Sequence, residues 1–397
     1  MSHEMARPPG LTGGEVTGRA DIVIVGAGVM GCSIAWSLSQ RGAGRIVVLE
    51  RDKIARGSTA AAAGGVRLQF STATNIELSA YSMDVWENFE NLFGVEIGLR
   101  QQGYLLLVTD PSHVPVFQEN LRLQQSYDVP AQWLTPDEIL ELNPVVRVDD
   151  VIGATFCPRD GWCDPYSATM GFARAARRHG VEIRQDSEVT GIRREGDRIT
   201  GVELADEVIE ADLVILCTGP HTNQVGATAA VDIPILPYRR MSFTTRPFDD
   251  VPSTIPFTVE FARGLYVHPE GPGFLFGMGN PDEPSSLDDT VDEAWMLKTI
   301  EALCDRIPAF TTAAVHAGWA GSYEITPDDN PVLGYVGEVE GLIVAAGFSG
   351  HGFMQGPAIG QCISELVMDG AARTVDISPF SPGRFKDGRL AQERNVI

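Results

Sequence analysis

The stretch Asp21-Ile22-Val23-Ile24-Val25-Gly26-Ala27-Gly28-Val29-Met30-Gly31 decides the fold of this 397-residue chain. An apolar run of strand length opens it, and a Gly-X-Gly-X-X-Gly pattern closes it. Apolar residues at helical spacing follow as far as Arg41-Gly42, where a helix can end. A second apolar strand, residues 45–49, leads to Glu50, 24 residues after Gly26. The order strand, glycine loop, helix, strand and acid predicts a dinucleotide-binding βαβ unit.

Each part of this unit has a physical role toward a dinucleotide. Gly26 allows the tight turn, Gly28 lets the backbone approach a pyrophosphate, and Gly31 lets the helix pack closely on the strand. The first helical N–H groups then face the phosphates, and Glu50 can accept hydrogen bonds from ribose hydroxyls. Cofactor contacts are therefore expected at Gly26, Gly28, Val29, Met30, Gly31, Glu50 and Arg51.

Two later stretches favour FAD over NAD as the dinucleotide. The first is a loop of small residues, 57–67, which lets the backbone pass close to a bulky planar ligand. The second is a buried strand, 212–216, that leads into Thr218-Gly219 and is similar to the second glycine contact of flavoproteins with two dinucleotide-binding segments. Strands are also predicted at 181–183, 187–192 and 199–204. The further expected cofactor contacts are Ser58, Thr59, Gly64, Gly65, Val189, Thr218 and Gly219.

Composition narrows the function further. The formal net charge is −23, which opposes binding to nucleic acid or to anionic lipid, so a small-molecule substrate is the expected partner. The six cysteines lack metal-ligand spacing, and neither a disulfide framework nor a metal site is expected. Residues 1–19 read as a flexible lead-in without a signal peptide, and no stretch has the length and apolarity of a membrane span. A cytoplasmic location is the expectation.

Several motifs together resemble the FAD-dependent amine and amino-acid oxidoreductases of the D-amino-acid oxidase superfamily, near sarcosine oxidase and glycine oxidase. They are the glycine pattern, the 57–67 loop, Asp160-Gly161 with Asp164-Pro165, the segment 326–334 and the segment 347–353. The resemblance implies a mixed α/β and antiparallel-β fold, in which a Rossmann-like FAD-binding domain carries a substrate domain built on a large antiparallel sheet. It places the FAD domain at 20–95, 150–230 and 316–397, and the substrate domain at 96–149 and 231–315.

The same resemblance implies the chemistry. Flavin takes a hydride from the carbon beside a neutral amine, and the imine is hydrolysed afterwards, so no catalytic acid or base is assigned. Arg67 matches an arginine that binds the substrate carboxylate, as a guanidinium fork can do bidentately. The backbone N–H groups of Gly350, His351, Gly352, Phe353 and Met354, before a helix expected from Pro357, are expected to stabilise negative charge on the flavin. His351 could act as a base, but packing beside the flavin is the favoured role.

The chain also departs from its resembled family at several positions. Relatives that bind flavin covalently use a cysteine at the position of Gly321 or a histidine at that of Ala61, so FAD is expected to be non-covalent. Sarcosine oxidase has a lysine at Met354, and glycine oxidase has an arginine at Tyr323. An apolar Met354 indicates a larger or more hydrophobic substrate tail. The candidate replacements for the missing carboxylate anchors are Tyr323, Tyr266, Arg239 and Arg240.

The resulting hypothesis is an oxidase that cleaves the C–N bond of a secondary or N-substituted amino acid, with O2 as acceptor and H2O2 as a product. Leu275 stands where a lysine assists oxygen activation in sarcosine oxidase. A dehydrogenase subunit that passes electrons to another acceptor is therefore an alternative, and a homo- or hetero-oligomer is compatible with both. A flavin-fold assembly factor without turnover is the third reading.

Overall fold

The computed structural model describes residues 15–396, with side chains from residue 18. Two eight-stranded sheets and one two-stranded ribbon organise this part of the chain. The strands are β1 Glu15–Val25, β2 Ile46–Leu49, β3 Gly65–Val66, β4 Tyr104–Val108, β5 Gln132–Leu134, β6 Gly153–Cys157, β7 Gly161–Trp162, β8 Glu182–Arg184, β9 Gly191–Glu195, β10 Arg198–Glu203, β11 Glu207–Leu216, β12 Leu236–Thr245, β13 Phe257–Glu260, β14 Leu265–Glu270, β15 Gly273–Met278, β16 Val315–Ile325, β17 Val332–Tyr335 and β18 Leu342–Ala346.

The helices cover both sheets. They are α1 Val29–Gln40, α2 Ser58–Ala61, α3 Ala73–Glu87, α4 Phe89–Phe93, α5 Val114–Ser126, α6 Pro136–Leu142, α7 Pro165–Arg178, α8 Thr222–Ala227, α9 Glu293–Arg306, α10 Gly352–Asp369 and α11 Arg384–Asp387.

The first sheet has the order β17-β18-β11-β1-β2-β8, with β10 and β9 joined to β11. β1 pairs in parallel with both β2 and β11. Its side chains alternate between two cores: Ile22 and Ile24 pack on the helical side with α1, whereas Val23 and Val25 pack on the opposite side. This burial on both faces explains the continuous apolar run, and β1 delivers Gly26 to the carboxyl edge of the sheet.

The second sheet has the order β16-β12-β15-β14-β13-β4-β6-β5 and is antiparallel except between β13 and β4. One face packs against α9 in a core that includes Met241 and Phe243. The other face is aromatic: Tyr104 and Phe257 stack with centroids 4.0 Å apart, and Tyr266 packs beside them. The mixed α/β and antiparallel-β fold expected from the sequence is therefore confirmed.

Several sequence-based boundaries differ from the structure. β1 begins at Glu15, so residues 15–19 belong to the sheet rather than to a lead-in, and residues 1–14 lie outside the described residues. Two strands expected in the FAD domain, β6 and β16, pair within the second sheet. The strand expected at 187–192 lies instead at 191–195. For β1, β6 and β16 the pairing strands are distant in sequence, whereas β9 forms a hairpin with the neighbouring β10.

α10 begins at Gly352, five residues before the start expected at Pro357. Pro357 has no N–H to donate, so near the amino end of the helix it removes one backbone hydrogen bond without ending the helix. The helix therefore begins inside the Gly-His-Gly-Phe motif and places the amino end of α10 there.

Candidate active site

The corner between β1 and α1 is built for close backbone approach. Gly26 has a φ of 103°, and a Cβ atom added to it would overlap the Cys217 carbonyl oxygen. A Cβ atom on Gly31 would overlap the Gly26 carbonyl oxygen. α1 starts after Gly28 with no side-chain cap, although the Val29 N–H donates to Thr59 Oγ1 over 3.2 Å. An uncapped helix start behind a glycine turn fits a bound phosphate.

Glu50 lies at the end of β2 and bridges back to this corner. Its Oε2 accepts a hydrogen bond from the Ala27 N–H at 2.8 Å, and its Oε1 accepts one from the Asp52 N–H at 2.9 Å. The carboxylate is thus held beside the glycine turn, where a ribose contact is predicted. The neighbouring Arg51 is exposed, and Val189 is half-buried against the core on the other side of the sheet.

The small-residue loop joins the two sheets. The Ser58 hydroxyl donates to the Ser322 carbonyl at 2.9 Å, and the Trp319 indole N–H donates to the Ala61 carbonyl at 3.1 Å. Gly64 and Gly65 lack room for side chains, since added Cβ atoms would overlap the Cys163 carbonyl oxygen and the Tyr104 hydroxyl respectively. Small residues are therefore required here so that the loop can lie against the aromatic face of the second sheet.

A second turn lies at the same carboxyl edge of the first sheet, because β11 runs parallel to β1. Thr218 follows β11 and its hydroxyl lies 3.0 Å from that of Thr222, while Gly219 has a φ of 54°. A Cβ atom on Gly219 would lie 4.0 Å from Glu324 Oε1, and Glu324 Oε2 accepts from the Gly347 N–H at 2.8 Å. Thr218-Gly219 and the segment after β18 therefore meet through the Glu324 carboxyl group.

The segment 347–354 forms a turn with left-handed residues at Gly347, Ser349 and Gly350, followed by α10 without a side-chain cap. Met354 uses its carbonyl to accept from the Trp86 indole, and the Phe353 ring stacks on the Trp86 ring with centroids 5.1 Å apart. Both side chains are thus in the core. What this segment can offer a flavin is backbone N–H groups and the positive end of the helix dipole.

His351 lies at this helix start and is 2% exposed. Its ring contacts the Phe70 ring edge-on with centroids 5.3 Å apart, and neither ring nitrogen has a hydrogen-bond partner. Burial, with a further contribution from Arg67, lowers the pKa of His351 to about 3. The imidazole is therefore neutral at physiological pH, which supports packing over the role of a proton carrier.

Arg67 is buried at 4% exposure rather than displayed on a surface loop. Its Nη atoms donate to the Gln69 and Asn395 carbonyl oxygens, and its guanidinium lies 4.1 Å from the Phe70 ring centre. Burial lowers the pKa of Arg67, and Glu393 is the first of the charges that oppose this shift. The Nη donors thus contact the chain's own backbone, and the proposed carboxylate contact stays a prediction.

The aromatic face of the second sheet carries the remaining candidates. The Tyr266 hydroxyl lies 2.8 Å from the Ser242 hydroxyl, and the Arg240 guanidinium lies 5.1 Å from the Tyr323 ring centre. Burial raises the pKa of Tyr266 and of Tyr323, so both phenols stay protonated hydrogen-bond donors. Arg239 points to the opposite face of the strand, where it pairs with Glu283 at 2.8 Å. Arg239 is therefore excluded as a replacement anchor by strand alternation.

Two residues of this region were missed by the sequence reasoning. Tyr104 begins β4 and is buried against Gly65, and its place in an apolar strand concealed a contact with the small-residue loop. Asp160 is fully buried and accepts hydrogen bonds from the Leu68 N–H at 2.8 Å and the Gln69 amide at 3.0 Å. Burial raises the pKa of Asp160 to about 7. Its position in the Asp-Gly motif was the available signal.

Gly321 on β16 and Ala61 at the end of α2, the two positions where relatives bind flavin covalently, lie against each other: a Cβ atom on Gly321 would overlap the Ala61 methyl group. Neither offers a sulfur or an imidazole. We predict that acid precipitation of the holoprotein leaves yellow cofactor in the supernatant, because no covalent bond retains it. Absorbance of the two fractions measures this, with a covalent flavoprotein as control. A yellow pellet would contradict the prediction.

Residues 15–396 show no sign of a metal site or of a membrane-spanning helix. No cluster of His, Cys, Asp and Glu side chains there could hold a metal ion. The cysteines, all six of which lie in this part of the chain, are free thiols. No helix of the described residues combines the length and apolarity needed to cross a membrane.

Comparison with known proteins agrees with this geometry. The family model described as FAD dependent oxidoreductase matches residues 21–366. FAD-dependent oxidoreductase domain-containing protein 1 of Xenopus laevis is 31% identical, over 96% of this chain and 85% of that protein. The solved structure of L-proline dehydrogenase from P. horikoshii is 32% identical with a TM-score of 0.88, over 94% of this chain and all of that one.

A further relative, 4-methylaminobutanoate oxidase (formaldehyde-forming) of Paenarthrobacter nicotinovorans, is 28% identical over 90% of this chain. The chain spans 45% of the length of that enzyme. The glycine turn, the contact between the two sheets and these matches all indicate an FAD-binding protein. The chain belongs to the family of FAD-dependent oxidoreductases.

Proposed function

We propose that this protein oxidises the C–N bond of a small secondary or N-substituted amino acid, with non-covalent FAD. The observation that carries the proposal is a cationic and aromatic corner: the Arg240 guanidinium lies 5.1 Å from the Tyr323 ring centre, and that ring occupies the place of a Gly350 side chain, while Tyr266 lies on the same face of the sheet. Cations suit a carboxylate, and aromatic walls suit an aliphatic amine or ring. L-proline dehydrogenase and 4-methylaminobutanoate oxidase, whose names indicate secondary amines as substrates, support the substrate class.

The chain's own residues position the substrate. When bound, FAD supplies the two-electron acceptor that converts the substrate C–N bond into an imine, which water then hydrolyses. Tyr266 and Tyr323 donate hydrogen bonds as neutral phenols, since burial keeps both protonated. His351, neutral and enclosed by Phe70, helps to exclude water from the corner. Orientation in a dry site can supply much of the rate acceleration without an acid or base.

We predict that a secondary amino acid bleaches the flavin of the purified holoprotein under anaerobic conditions. A panel of L-proline, N-methylglycine and longer N-alkylglycines covers the proposed class, and glycine and L-alanine serve as primary-amine controls. Loss of the flavin absorbance near its visible maximum is the readout. Bleaching by the primary amines alone, or by no member of the panel, would overturn the proposed substrate class.

The electron acceptor is a separate part of the proposal. O2 with formation of H2O2 is the first candidate, and another acceptor is favoured by one observation. Leu275, at the position expected to hold an oxygen-activating lysine, is buried in β15 beside His268 and offers no charge. Admitting air to the bleached enzyme distinguishes the two: fast recovery of colour with peroxide indicates an oxidase, and slow recovery without peroxide indicates a dehydrogenase.

A further inference from the structure

The buried arginines of this chain differ in how their charge is balanced. Arg306 contacts Glu260 at 2.9 Å, Arg384 contacts Asp328 at 2.8 Å, and Arg239 contacts Glu283 at 2.8 Å. These pairs satisfy the rule that a buried charge requires a partner. Among the described residues, no carboxylate lies within 4.0 Å of the guanidinium of Arg67 or of Arg240. These two arginines are therefore the candidates for an anion that comes from outside the chain.

Arg67 is already enclosed by the chain itself. The segment 391–396 lies over it, and the Asn395 carbonyl receives one of its Nη donors. Glu393 anchors this segment by accepting from the Ser71 N–H at 2.9 Å, the Ser71 hydroxyl at 2.6 Å and the Asn75 amide at 2.9 Å. Glu393 is 1% exposed and opposes the burial-induced shift in the pKa of Arg67. A substrate would have to displace this segment to reach the Nη atoms of Arg67.

Arg240 is in the opposite situation. It is half-buried, its Nη1 donates to the Arg239 carbonyl at 3.0 Å, and its Nε is buried without any hydrogen-bond partner. A buried guanidinium nitrogen without an acceptor is costly unless a ligand supplies one. The two donors of a guanidinium edge fit the two oxygens of a carboxylate.

The positions beside Arg240 along the sheet are glycines, and on the β16 side the Ala61 methyl group covers Gly321. On β16 its register partner is Gly321, and on the β15 side Gly279 has no side chain, so that an added Cβ atom would lie 3.8 Å from Arg240 Nε. Tyr323 lies between Arg240 and the glycine-rich turn, because its ring occupies the place that a Gly350 side chain would take. The Tyr323 ring would therefore separate a ligand bound to Arg240 from the turn at the start of α10.

We propose that Arg240 binds the substrate carboxylate, and that Arg67 instead binds the segment 391–396 that closes the corner. This assignment rests on the proposed function and deepens it, since it places the acidic end of the substrate on the aromatic face of the second sheet. The amine-bearing part then lies against Tyr266 and Tyr323. Arg240 is thereby the residue that selects amino acids over simple amines.

The test compares substrates with and without a carboxylate. For the holoprotein, kcat/KM is measured for L-proline against pyrrolidine and for N-methylglycine against dimethylamine. Arg240→Met is expected to lower the preference for the acid by at least about tenfold, the effect of losing a charge-assisted contact. Arg240→Lys should retain part of the preference, because a point charge remains. Arg246→Met, at an exposed position after the same strand, is the matched control and should keep the wild-type ratio.

Arg67→Met separates this assignment from the family-based one. It is expected to retain the preference for the acid, although it weakens the packing of residues 391–396. Loss of the preference in Arg67→Met with its retention in Arg240→Met would overturn the proposal. FAD absorbance and thermal melting identify a variant that has lost its fold, and Arg240→Gln then replaces Arg240→Met.

A ligand titration keeps the inference testable if the proposed function fails. Tetrahydrofuran-2-carboxylate carries the acid of proline but an oxygen in place of its nitrogen, so it cannot be oxidised at a C–N bond. It should perturb the flavin absorbance of the wild-type protein, with at least about tenfold weaker binding in Arg240→Met. Equal binding to both would overturn the role of Arg240, whereas a wild-type protein that binds the probe but is bleached by no amine would overturn only the reaction.

Discussion

Gly31→Ala is expected to weaken FAD binding at least tenfold, equivalent to ~1.4 kcal/mol of binding free energy, and to give a purified protein with much less flavin colour. The added methyl group would overlap the Gly26 carbonyl oxygen, which is backbone and cannot rotate away. α1 would have to move away from β1, and overpacking of this kind typically costs ~1–3 kcal/mol. The movement would also displace the start of α1 from the expected phosphates. Flavin absorbance per mole of protein measures the effect.

The matched control is Gly18→Ala on β1, the strand that leads into the glycine turn. A Cβ atom at Gly18 has no atom within 4 Å, and its φ is outside the left-handed region, so this variant should retain wild-type flavin. Wild-type flavin content in Gly31→Ala would show that the corner can relax and that the predicted pyrophosphate site lies elsewhere.

Arg384→Met is expected to lower the free energy of unfolding by ~3–5 kcal/mol, because removal of one partner leaves a buried charge uncompensated. Arg384 is 1% exposed and donates two hydrogen bonds, of 2.9 and 2.8 Å, to the Asp328 carboxylate. It also donates to the Asn330 carbonyl at 2.9 Å. Denaturant unfolding followed by fluorescence measures the change, with Arg389→Met, whose partner Asp387 is exposed, as the control.

The same variant should loosen the segment over Arg67. The turn that Arg384 holds includes Asn330, whose amide donates to the Ala391 carbonyl. Faster amide hydrogen exchange across 389–396 is therefore expected in Arg384→Met, but not in Arg389→Met. Unchanged exchange together with unchanged stability would show that the Arg384–Asp328 pair is not needed to hold this part of the chain.

The sequence was most informative where local chemistry is specific. The glycine pattern predicted β1, α1 and the corner at Gly26, since few residue types tolerate that backbone approach. The strands predicted at 181–183 and 199–204 were also found, as β8 and β10. The sequence was least informative about which sheet a strand joins, because nothing in the local sequences of β6 and β16 identifies the strands that pair with them.

The candidate site divides in the same way. The residue types predicted a dinucleotide-binding corner and indicated Arg67 and Arg240 as candidate substrate-binding residues. Only the tertiary structure decided their surroundings, because one of the two carbonyl acceptors for Arg67 belongs to Asn395, 328 residues away. Strand alternation and pairing put Arg239 in an ion pair with Glu283 and left the Nε of Arg240, on the opposite face, without a hydrogen-bond partner. Charge balance in a folded protein depends on contacts between distant residues, which no local sequence pattern contains.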